Sequence, residues 1–380
     1  MPELTLILLS AGNSTRFNKR VKKQWIRVGD DPLWLFVANR FKNFYNFKKI
    51  IVTANESEIF YMKKYADFDF VSGGASRQDS LKNALELVTT SFVLVSDVAR
   101  ACISKEMLMD LIDNIDGADC VVPYIDVSDT VVYEDETINR EMIKLIQTPQ
   151  LSKTKILKKA LESKTQYTDD SSAIKAVGGQ VCYVKGSKSA KKITHFDDMR
   201  VLKCLKAPFN GTFIGQGFDV HKFCDGDGLM LGGVKIDSKL SFLAHSDGDV
   251  AIHALIDALL GAIGASDIGE LFPDSDERFK SIDSKELLKD VVKFVQNVGF
   301  EIVNVDITIM AEYPKISPYK DMIREVLASL LHIKAVRCNI KATTTEKLGF
   351  IGRKEGVAVS AVASLKYINL GSEENEDTNS

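Results

Sequence analysis

Asp219, His221 and His253 are the residues whose types and spacing point most directly to chemistry in this 380-residue chain. Alternation along a strand places residues i and i+2 on one face, so the Asp219 carboxylate and the His221 imidazole can converge on one ion. His253, on a following helix, would close the site. Two nitrogens and one oxygen suit Zn²⁺, and three protein ligands leave a fourth tetrahedral position for a substrate oxygen or water. The alternative is a surface Asp-x-His pair and an unrelated, hydrogen-bonded helix histidine.

A polar segment directly precedes the helix that carries His253. We expect Asp247 or Asp249 to cap this helix, because aspartate accepts hydrogen bonds from the first amide groups. The amino end of a helix also favours anions, so His245 and Ser246 are expected to donate to a phosphate or a diol there.

Two further residues near the triad have alternative interpretations. Asp257 lies on the same helix face as His253, and it or a neighbour is expected to hydrogen-bond the free histidine nitrogen and fix its tautomer. A solvated Asp257 is the alternative. Cys224 follows the Asp-x-His pair closely and could be a ligand, but one aspartate and two histidines already suffice.

Three later segments contain groups that bind phosphates and sugars, namely 267–276, 311–317 and 341–353. Hydroxyls beside a carboxylate can hold a phosphate and a second cation together. A threonine-rich strand end can also reflect simple β propensity, so this cluster gains its meaning from its neighbours.

The elements that position these residues fall into two sets. Up to about residue 200, short β-branched runs alternate with helical stretches, which predicts an α/β domain with a doubly wound parallel sheet. Its strands are expected at 4–9, 49–53, 92–96, 119–123 and 180–185. In such a sheet the ligand loops lie at the carboxyl ends of the strands.

A polar stretch with turn residues separates the two sets, and we place the domains at 1–208 and 209–370. The second set is expected to form a compact α+β domain with its helices on one side. Its strands are predicted at 213–221, 229–236, 301–310, 336–343 and 356–365, and its helices near 248–264, 284–298 and 317–331. Residues 371–380 have no apolar anchor and are expected to be disordered.

Composition excludes several classes of function. With a formal net charge of −3 and 27% charged residues, no global basic field would recruit nucleic acid or an anionic membrane. The apolar start leads straight into a loop motif and lacks a basic leader, and no apolar run is long enough to span a membrane. The six cysteines have no paired spacing, which predicts reduced thiols in a cytoplasmic protein.

The first predicted strand is followed by a loop suited to phosphates, 10–16, and then by Lys22, Lys23 and Gln24. Small residues let backbone amides approach phosphate oxygens, while Arg16 and Lys23 add charge that can stabilise a transition state. The pattern is neither a Walker loop nor a dinucleotide fingerprint.

Three other clusters lie where this fold places ligand loops, at 73–80, 96–100 and 168–171. Their glycines suit close contact with a base or ribose, and Asp97 at a strand end is placed to hold Mg²⁺ between phosphates.

With these motifs, the chain up to about residue 200 resembles 2-C-methyl-D-erythritol 4-phosphate cytidylyltransferases, which join CMP from CTP to methylerythritol phosphate and release pyrophosphate. The resemblance implies a metal-binding Asp97, with Mg²⁺ or Mn²⁺ as the ion. It also implies catalytic or substrate-binding roles for Arg16, Lys23, Arg140 and Lys192, and binding roles for Ala11, Gly12, Gly73, Asp79 and Ser80. The family's Pro-Lys-Gln is Lys22-Lys23-Gln24 here, and its Asp-Ala-Ala-Arg-Pro is Asp97-Val98-Ala99-Arg100-Ala101. A fold that only binds nucleotide is the alternative.

Residues 211 to 368 closely resemble 2-C-methyl-D-erythritol 2,4-cyclodiphosphate synthases. The resemblance implies that Asp219, His221 and His253 bind Zn²⁺, that His245 and Thr344 stabilise the transition state, and that Glu346 binds Mg²⁺ or Mn²⁺. That family is a trimer with active sites between subunits. Residues implied in binding substrate are Ser246, Asp267, Ile268, Gly269, Phe272, Asp274, Asp276, Ala311, Pro314, Lys315, Thr343, Thr345, Phe350 and Arg353.

Together the two halves predict a fused bifunctional enzyme of the methylerythritol phosphate route to isoprenoids, acting on small nucleotide and sugar-phosphate substrates. One kinase step lies between its two reactions, and no kinase motif is present, so association with a separate kinase is a hypothesis. Two alternatives stay open. One is a different sugar-phosphate nucleotidyltransferase fused to a zinc hydrolase, and the other is a noncatalytic nucleotide-binding or assembly module attached to an active cyclase.

Overall fold

Buried runs of leucine, isoleucine and valine define the central strands of both halves of the chain. The structure is a computed structural model that describes residues 2–244, 247–273 and 282–370. The chain divides into two units, of which the first ends at Ala207 and the second begins at Pro208. The predictions made for His245, Ser246, Asp274, Asp276 and the tail 371–380 lie outside the described residues.

The first unit is built on an eight-stranded sheet with the order β10-β7-β11-β6-β1-β4-β5, and β12 pairs with β7. Its strands are β1 (Leu4–Leu9), β2 (Arg27–Val28), β3 (Asp31–Pro32), β4 (Lys49–Ala54), β5 (Asp69–Ser72), β6 (Phe92–Asp97), β7 (Cys120–Asp126), β8 (Val131–Tyr133), β9 (Glu136–Ile138), β10 (Lys144–Ile146), β11 (Gln150–Lys153) and β12 (Val181–Lys185). Its helices are α1 (Leu33–Phe44), α2 (Glu56–Met62), α3 (Arg77–Leu85), α4 (Lys105–Asp113), α5 (Thr154–Leu161) and α6 (Asp170–Ala176).

The five strands predicted for this unit are all parallel to one another, but the sheet also contains antiparallel strands that were not predicted. Strands β1, β4, β5 and β6 are parallel, as are β7 and β12, but β11 runs antiparallel to β6 and β7, and β10 runs antiparallel to β7. Parallel neighbours need a crossover connection, usually a helix. Only the small β8–β9 hairpin and a short 3-10 turn at Arg140–Met142 separate β7 from β10. The chain therefore returns alongside β7 in the opposite direction.

The prediction of six reduced cysteines is wrong for one pair. Cys102 and Cys204 form a disulfide between residues 102 positions apart, with a Cα–Cα distance of 5.7 Å. Cys120, Cys182, Cys224 and Cys338 are free. Sequence spacing did not indicate this pair, because the fold brings the segment after β6 to the last segment of the first unit.

The second unit contains a five-stranded sheet with the order β16-β13-β19-β17-β18, in which only the β17–β18 pair is parallel. Its strands are β13 (Thr212–Asp225), β14 (Leu229–Leu231), β15 (Val234–Ile236), β16 (Leu240–Phe242), β17 (Phe300–Met310), β18 (Cys338–Thr343) and β19 (Gly356–Tyr367). Its helices are α7 (Val250–Ile263), α8 (Ile268–Leu271), α9 (Ser284–Asn297), α10 (Lys320–Leu331) and α11 (Gly349–Gly352). The predicted single strand at 229–236 is instead the β14–β15 hairpin, because Gly232 and Gly233 have positive φ angles of 61° and 78° and turn the chain.

Helix α7 packs directly on β13 because two glycines of that strand face it. A Cβ atom on Gly215 would lie 2.1 Å from the Ala258 carbonyl oxygen, and one on Gly217 would lie 1.9 Å from the Ala254 carbonyl oxygen. The missing side chains therefore set the distance between helix and sheet. Although α7 is apolar, it has 14 residues, and no helix in the described ranges has the length and hydropathy of a membrane span.

Candidate active sites

The loop after β1 forms one wall of a cavity of about 430 Å³ in the first unit. Ser14 adopts a left-handed backbone conformation with φ of 57° and starts a short 3-10 turn at Thr15–Phe17. Its hydroxyl accepts a hydrogen bond from the Lys23 amide at 2.9 Å, which ties the phosphate loop to the following turn. The cavity is lined by residues 9–16, 23–24, 74–77 and 97–99 together with Thr53, Ser80 and Lys192.

Four cationic side chains, Arg16, Lys23, Arg77 and Lys192, line this cavity. Burial and the neighbouring charges of Lys192 and Arg16 lower the pKa of the Lys23 ammonium. Such repulsion is relieved when an anion enters, so the cavity favours a polyanionic ligand such as a triphosphate.

Asp97 lies at the end of β6 and joins this cavity to a buried ion-pair network. Its Oδ2 atom is 2.6 Å from Lys192 Nζ, and its Oδ1 atom is 3.3 Å from Arg77 Nε. Burial alone would raise the pKa of the Asp97 carboxyl, but the charges of Arg77 and Lys192 outweigh it and hold the pKa at about 2. Each carboxylate oxygen keeps a second lone pair, so an ionised Asp97 fits a divalent cation shared with substrate phosphates.

Sequence reasoning did not single out Arg77 or Asp170. The Arg77 guanidinium bridges Asp97 to Asp170, with an Nη1–Oδ1 distance of 2.8 Å to the latter. Burial raises the pKa of Asp170 despite this cation. Both residues lie inside the clusters noted in the sequence, but 93 positions separate them, so no local spacing indicates that they pair.

Several predicted binding residues of the first unit lie in the cavity wall, but Gly73, Asp79 and Arg140 do not. Ala11, Gly12 and Ser80 line it. Gly73 instead allows close packing, because a Cβ there would lie 2.3 Å from Ala11 Cβ. Asp79 completes the capping box of α3, since its carboxylate accepts from the amide and hydroxyl of the cap residue Ser76.

Arg140 lies outside this cavity and is exposed, donating to the Ser128 carbonyl oxygen at 2.6 Å. Beside Ser128 is a second cavity of about 510 Å³, lined by 125–129, 145–147 and the cationic residues Arg100, Lys188 and Lys191. Arg100 follows directly after residues 97–99 of the first cavity wall, so the two cavities adjoin. The second one suits a smaller anion with hydroxyl groups.

In the second unit, the structure brings Asp219, His221 and His253 together, with ligand atoms all within 4.8 Å of one another. Asp219 Oδ2 lies 3.2 Å from His221 Nε2 and 3.3 Å from His253 Nδ1. Asp219 and His221 are on one face of β13, and α7 carries His253 over that face. No other cluster of three or more such ligands occurs among the residues that the structure describes.

The histidine tautomers follow from the hydrogen bonds behind them. His221 Nδ1 lies 2.7 Å from the Gly248 carbonyl oxygen, which can only accept, so Nδ1 carries the proton. Ser284 donates its only hydroxyl proton to Asp247 at 2.5 Å and must accept from His253 Nε2 at 3.1 Å. In the neutral rings, both remaining nitrogens are unprotonated and face the Asp219 carboxylate. Three acceptors that face one another fit a bound cation.

Asp257 or a neighbour was predicted to hydrogen-bond His253, but Ser284 of another helix is the partner of His253 Nε2. Asp257 accepts from the Ile268 amide at 2.8 Å, while Ser284 and Asp247 hold the histidine. The helix cap is Asp249, which accepts from the amides of Ala251, Ile252, Gly232 and Gly233. One buried carboxylate thus fixes both the start of α7 and the β14–β15 turn.

The predicted substrate loops lie at the ends of two neighbouring strands. The Ala311 amide donates to the Thr343 carbonyl oxygen at 3.0 Å, and Glu312 accepts from the Thr345 amide at 3.1 Å. The Thr344 hydroxyl donates to Glu346 at 3.0 Å. Pro314 and Lys315 continue the first loop, and the second leads through Phe350 to Arg353, which pairs with Glu355.

The remaining predicted residues lie after α7. Asp267 caps α8 by accepting from the Glu270 amide at 3.0 Å, and Ile268 and Gly269 lie within that helix. Phe272 follows it directly.

Within one chain, the metal ligands on β13 and the loop that begins at Thr343, after β18, lie three strands apart in the sheet. Strand register places Val220, Ala358, Met310 and Thr343 in one row across β13, β19, β17 and β18. Three strand spacings amount to about 14 Å. The two groups therefore share one end of the sheet but lie on different strands, too far apart to hold one phosphate together.

Comparison with known proteins identifies both units. Residues 4–205 match the 2-C-methyl-D-erythritol 4-phosphate cytidylyltransferase family, and residues 212–366 match the YgbB family. A bifunctional enzyme IspD/IspF of Aliarcobacter butzleri is 55% identical over 97% of this chain and 99% of its own length. One from Sulfurimonas denitrificans is 57% identical over 96% of this chain and 95% of its own length.

A solved structure agrees with these relatives over nearly the whole chain. The bifunctional IspDF of Campylobacter jejuni superimposes with a TM-score of 0.86 at 51% identity, covering 97% of this chain and 99% of that one. The chain therefore belongs to the bifunctional IspD/IspF family, the enzymes of the methylerythritol phosphate pathway that combine a cytidylyltransferase with a cyclodiphosphate synthase.

Proposed function

We propose that the 430 Å³ cavity binds CTP and that the adjoining cavity binds 2-C-methyl-D-erythritol 4-phosphate. The observation that carries this assignment is the convergence of Arg16, Lys23 and Lys192 on one cavity beside the ionised Asp97. Phosphoryl transfer depends mainly on positioning and on charge that stabilises the transition state.

In the first reaction the 4-phosphate oxygen of the substrate attacks the α-phosphorus of CTP, and pyrophosphate leaves. Arg16 and Lys23 offset the charge that develops on the transferred group. Asp97 would hold Mg²⁺ or Mn²⁺, which supplies further positive charge between the phosphates. Arg100 and Lys188, which line the second cavity, would bind the sugar phosphate, with Arg140 as a further contact beside Ser128.

In the second unit, Asp219, His221 and His253 would hold Zn²⁺, which positions and polarises a phosphate oxygen. The 2-phosphate of the CDP-linked substrate attacks its own β-phosphate, and CMP leaves. No protein nucleophile is required. Thr344 would stabilise the transition state, and Glu346 would hold the second Mg²⁺ or Mn²⁺ ion. His245 would share the role of Thr344, an assignment that rests on the family resemblance.

We propose a trimer of the second unit, and the separation of its two half-sites supports this proposal. The metal ligands and the Thr343 loop are about 14 Å apart in one chain, so a neighbouring copy would complete the site. The sheet face away from α7 supports this assembly, because Ile214 and Phe218 there are 70% and 56% exposed, and Val220 and Val362 lie beside them. An exposed apolar patch of this kind marks an interaction surface.

We assign the cytidylyltransferase to residues 1–208 and the synthase to 209–370, and we place the protein in the cytoplasm. A phosphorylation separates the two reactions, so a separate kinase acts on the intermediate. Its physical association with this chain is tested by analytical ultracentrifugation of the mixed proteins, and the absence of a complex would exclude it.

Selective loss of the two activities tests the assignment. With labelled CTP and methylerythritol phosphate, Arg16→Ala and Lys23→Ala are expected to abolish most pyrophosphate release and to leave cyclisation intact. Arg20→Ala is the matched control, because it is exposed and does not line the cavity. His253→Ala should remove zinc and cyclisation only. Wild-type cytidylyl transfer in both first-unit variants would refute the assigned roles.

A further inference from the structure

The turn that carries Lys23 is held from behind by a buried carboxylate, Glu58 of α2. Glu58 is 2% exposed, and no predicted role accounts for it. The turn, residues 22–25, includes a short 3-10 helix at Lys23–Trp25 and follows the phosphate loop. A buried carboxylate is costly unless it is paired and hydrogen-bonded, so its partners indicate what it does.

Three side chains of this one turn point at Glu58. Lys22 Nζ forms an ion pair with Oε1. Trp25 Nε1 donates to Oε2 at 2.7 Å, and Gln24 Nε2 donates to the same oxygen at 3.3 Å. The Lys23 side chain is directed differently: it lines the cavity of the first unit, and its ammonium donates to the Ile193 carbonyl oxygen at 3.3 Å.

Aromatic packing also attaches the turn 22–25 to helix α2. Trp25 is fully buried and stacks on Tyr61 of α2 with ring centroids 5.3 Å apart and an interplanar angle of 27°. On the other side, Gln24 Oε1 accepts from the Ser14 hydroxyl at 3.4 Å, which in turn accepts from the Lys23 amide. Glu58 is therefore linked through Gln24 to the phosphate loop itself.

We propose that Glu58 is a positioning residue for cytidylyl transfer, which holds the turn 22–25 so that the Lys23 ammonium is presented to the nucleotide phosphates. Lys22, which stands where the related family usually has proline, supplies the counter-charge that this buried carboxylate needs. The inference rests on the proposed role of Lys23 in binding and activating CTP. Glu58 itself lines neither cavity, so it acts only through the turn.

The expected loss of activity in Glu58→Gln depends on how strongly phosphoryl transfer responds to a displaced Lys23 ammonium. In Glu58→Gln the amide can still accept from Trp25, but its NH₂ group or its uncharged oxygen then faces the Lys22 ammonium. A reacting group displaced by about 1 Å costs on the order of 100-fold in rate. We therefore expect kcat/KM for CTP to fall by about 10- to 100-fold, with most of the loss in kcat.

The experiment compares four variants of the full-length enzyme, namely Glu58→Gln, Lys22→Met, the double variant that combines both, and Glu56→Gln. Glu56 is an exposed glutamate of the same helix, so its substitution is the matched control with unchanged kinetics. Lys22→Met leaves a buried charge unpaired and should be impaired. The double variant removes that charge as well and should recover part of the loss.

Two readouts separate positioning from simple stability. Cyclisation by the second unit and the thermal midpoint report whether each variant is folded. The alkaline limb of kcat/KM for CTP reports where Lys23 lies, because burial and the nearby cations Lys192 and Arg16 lower its pKa, whereas Asp97 and Asp198 raise it. A released turn moves Lys23 away from the two cations, so the limb should move to higher pH in Glu58→Gln.

Two outcomes would overturn the positioning role of Glu58, and a third would overturn the proposed role of Lys23. Wild-type kcat/KM in Glu58→Gln, with Lys23→Ala impaired, overturns the positioning role and leaves the proposed function standing. A loss in Glu58→Gln that matches the unfolded fraction, with the alkaline limb unmoved, also overturns it. Wild-type activity in Lys23→Ala removes the proposed role of Lys23, whatever Glu58→Gln shows.

Discussion

Replacing Gly217 with alanine should displace helix α7 and weaken the metal site of the second unit. The added Cβ would lie 1.9 Å from the Ala254 carbonyl oxygen and 2.8 Å from the Ala258 amide nitrogen, both backbone atoms of α7. Relief to an ordinary contact of about 3.4 Å requires the helix or the strand to move by about 1.5 Å. Ala254 is adjacent to His253, so this movement is transmitted directly to a metal ligand.

The magnitude of the displacement decides which property is lost first. Metal–ligand distances tolerate about 0.2 Å, so a shift several times larger should reduce zinc affinity by more than the 10- to 100-fold typical of a lost outer-sphere partner. Overpacking costs about 1–3 kcal/mol in stability, which corresponds to roughly 2–10 °C in the melting midpoint of a unit of this size. The fold should survive while the metal site fails.

Zinc titration of the metal-free enzyme, followed by assays of cyclisation and cytidylyl transfer, measures this effect. Gly217→Ala should lose cyclisation and keep cytidylyl transfer. The control is Gly261→Ala on the same helix, where the nearest atom to the added Cβ is 3.8 Å away and alanine should stabilise by up to about 1 kcal/mol. One tightly bound zinc per chain in Gly217→Ala, at wild-type affinity, would refute the argument from close packing.

Three other predictions concern single contacts. Ser284→Ala removes the acceptor of the His253 Nε2 proton and should lower zinc affinity by about 10- to 100-fold. Ser284→Thr keeps a hydroxyl and should retain the wild-type affinity. A zinc titration that gives Ser284→Ala the wild-type affinity would contradict the prediction. The pKa of the Lys23 ammonium is lowered, so the side chain loses its positive charge at a lower pH than an ordinary lysine does. The kcat/KM for CTP should therefore fall as the pH rises through the pKa of Lys23. Lys23→Arg should abolish this alkaline limb. Thiol counting of the unreduced, denatured protein should give four free cysteines, and six would exclude the disulfide.

The sequence alone predicts contacts that arise from local periodicity. Asp219 and His221 share a strand face because of their i, i+2 spacing, and His253 follows on the helix that packs there. What could not be predicted depends on distant partners. Ser284 lies 31 residues after His253, and Arg77 reaches Asp170 across 93 residues. Asp257 lies closer to His253 in the sequence, but its carboxylate accepts a hydrogen bond from the Ile268 amide instead.

In the fold as well, the features that arise from local sequence patterns could be predicted, and those that depend on distant segments could not. Buried β-branched runs locate the strands, since period and burial are encoded within a few residues. Strand direction is not encoded in this way, because it depends on whether a crossover intervenes. The antiparallel insertion of β11 between β6 and β7 is therefore visible only in the assembled sheet.

The fourfold hydrogen bonding of Asp249 has a consequence for the order in which the second unit folds. The hydrogen bond from Gly232 to Asp249 closes a segment whose ends are 17 positions apart, while those from Ala251 and Ile252 start the helix. An isolated helix of this length is marginal in water, so the capped start and the closed segment should form together. His253 lies one turn further on, and the metal ligand should therefore reach its place in the same cooperative step, before any ion is bound.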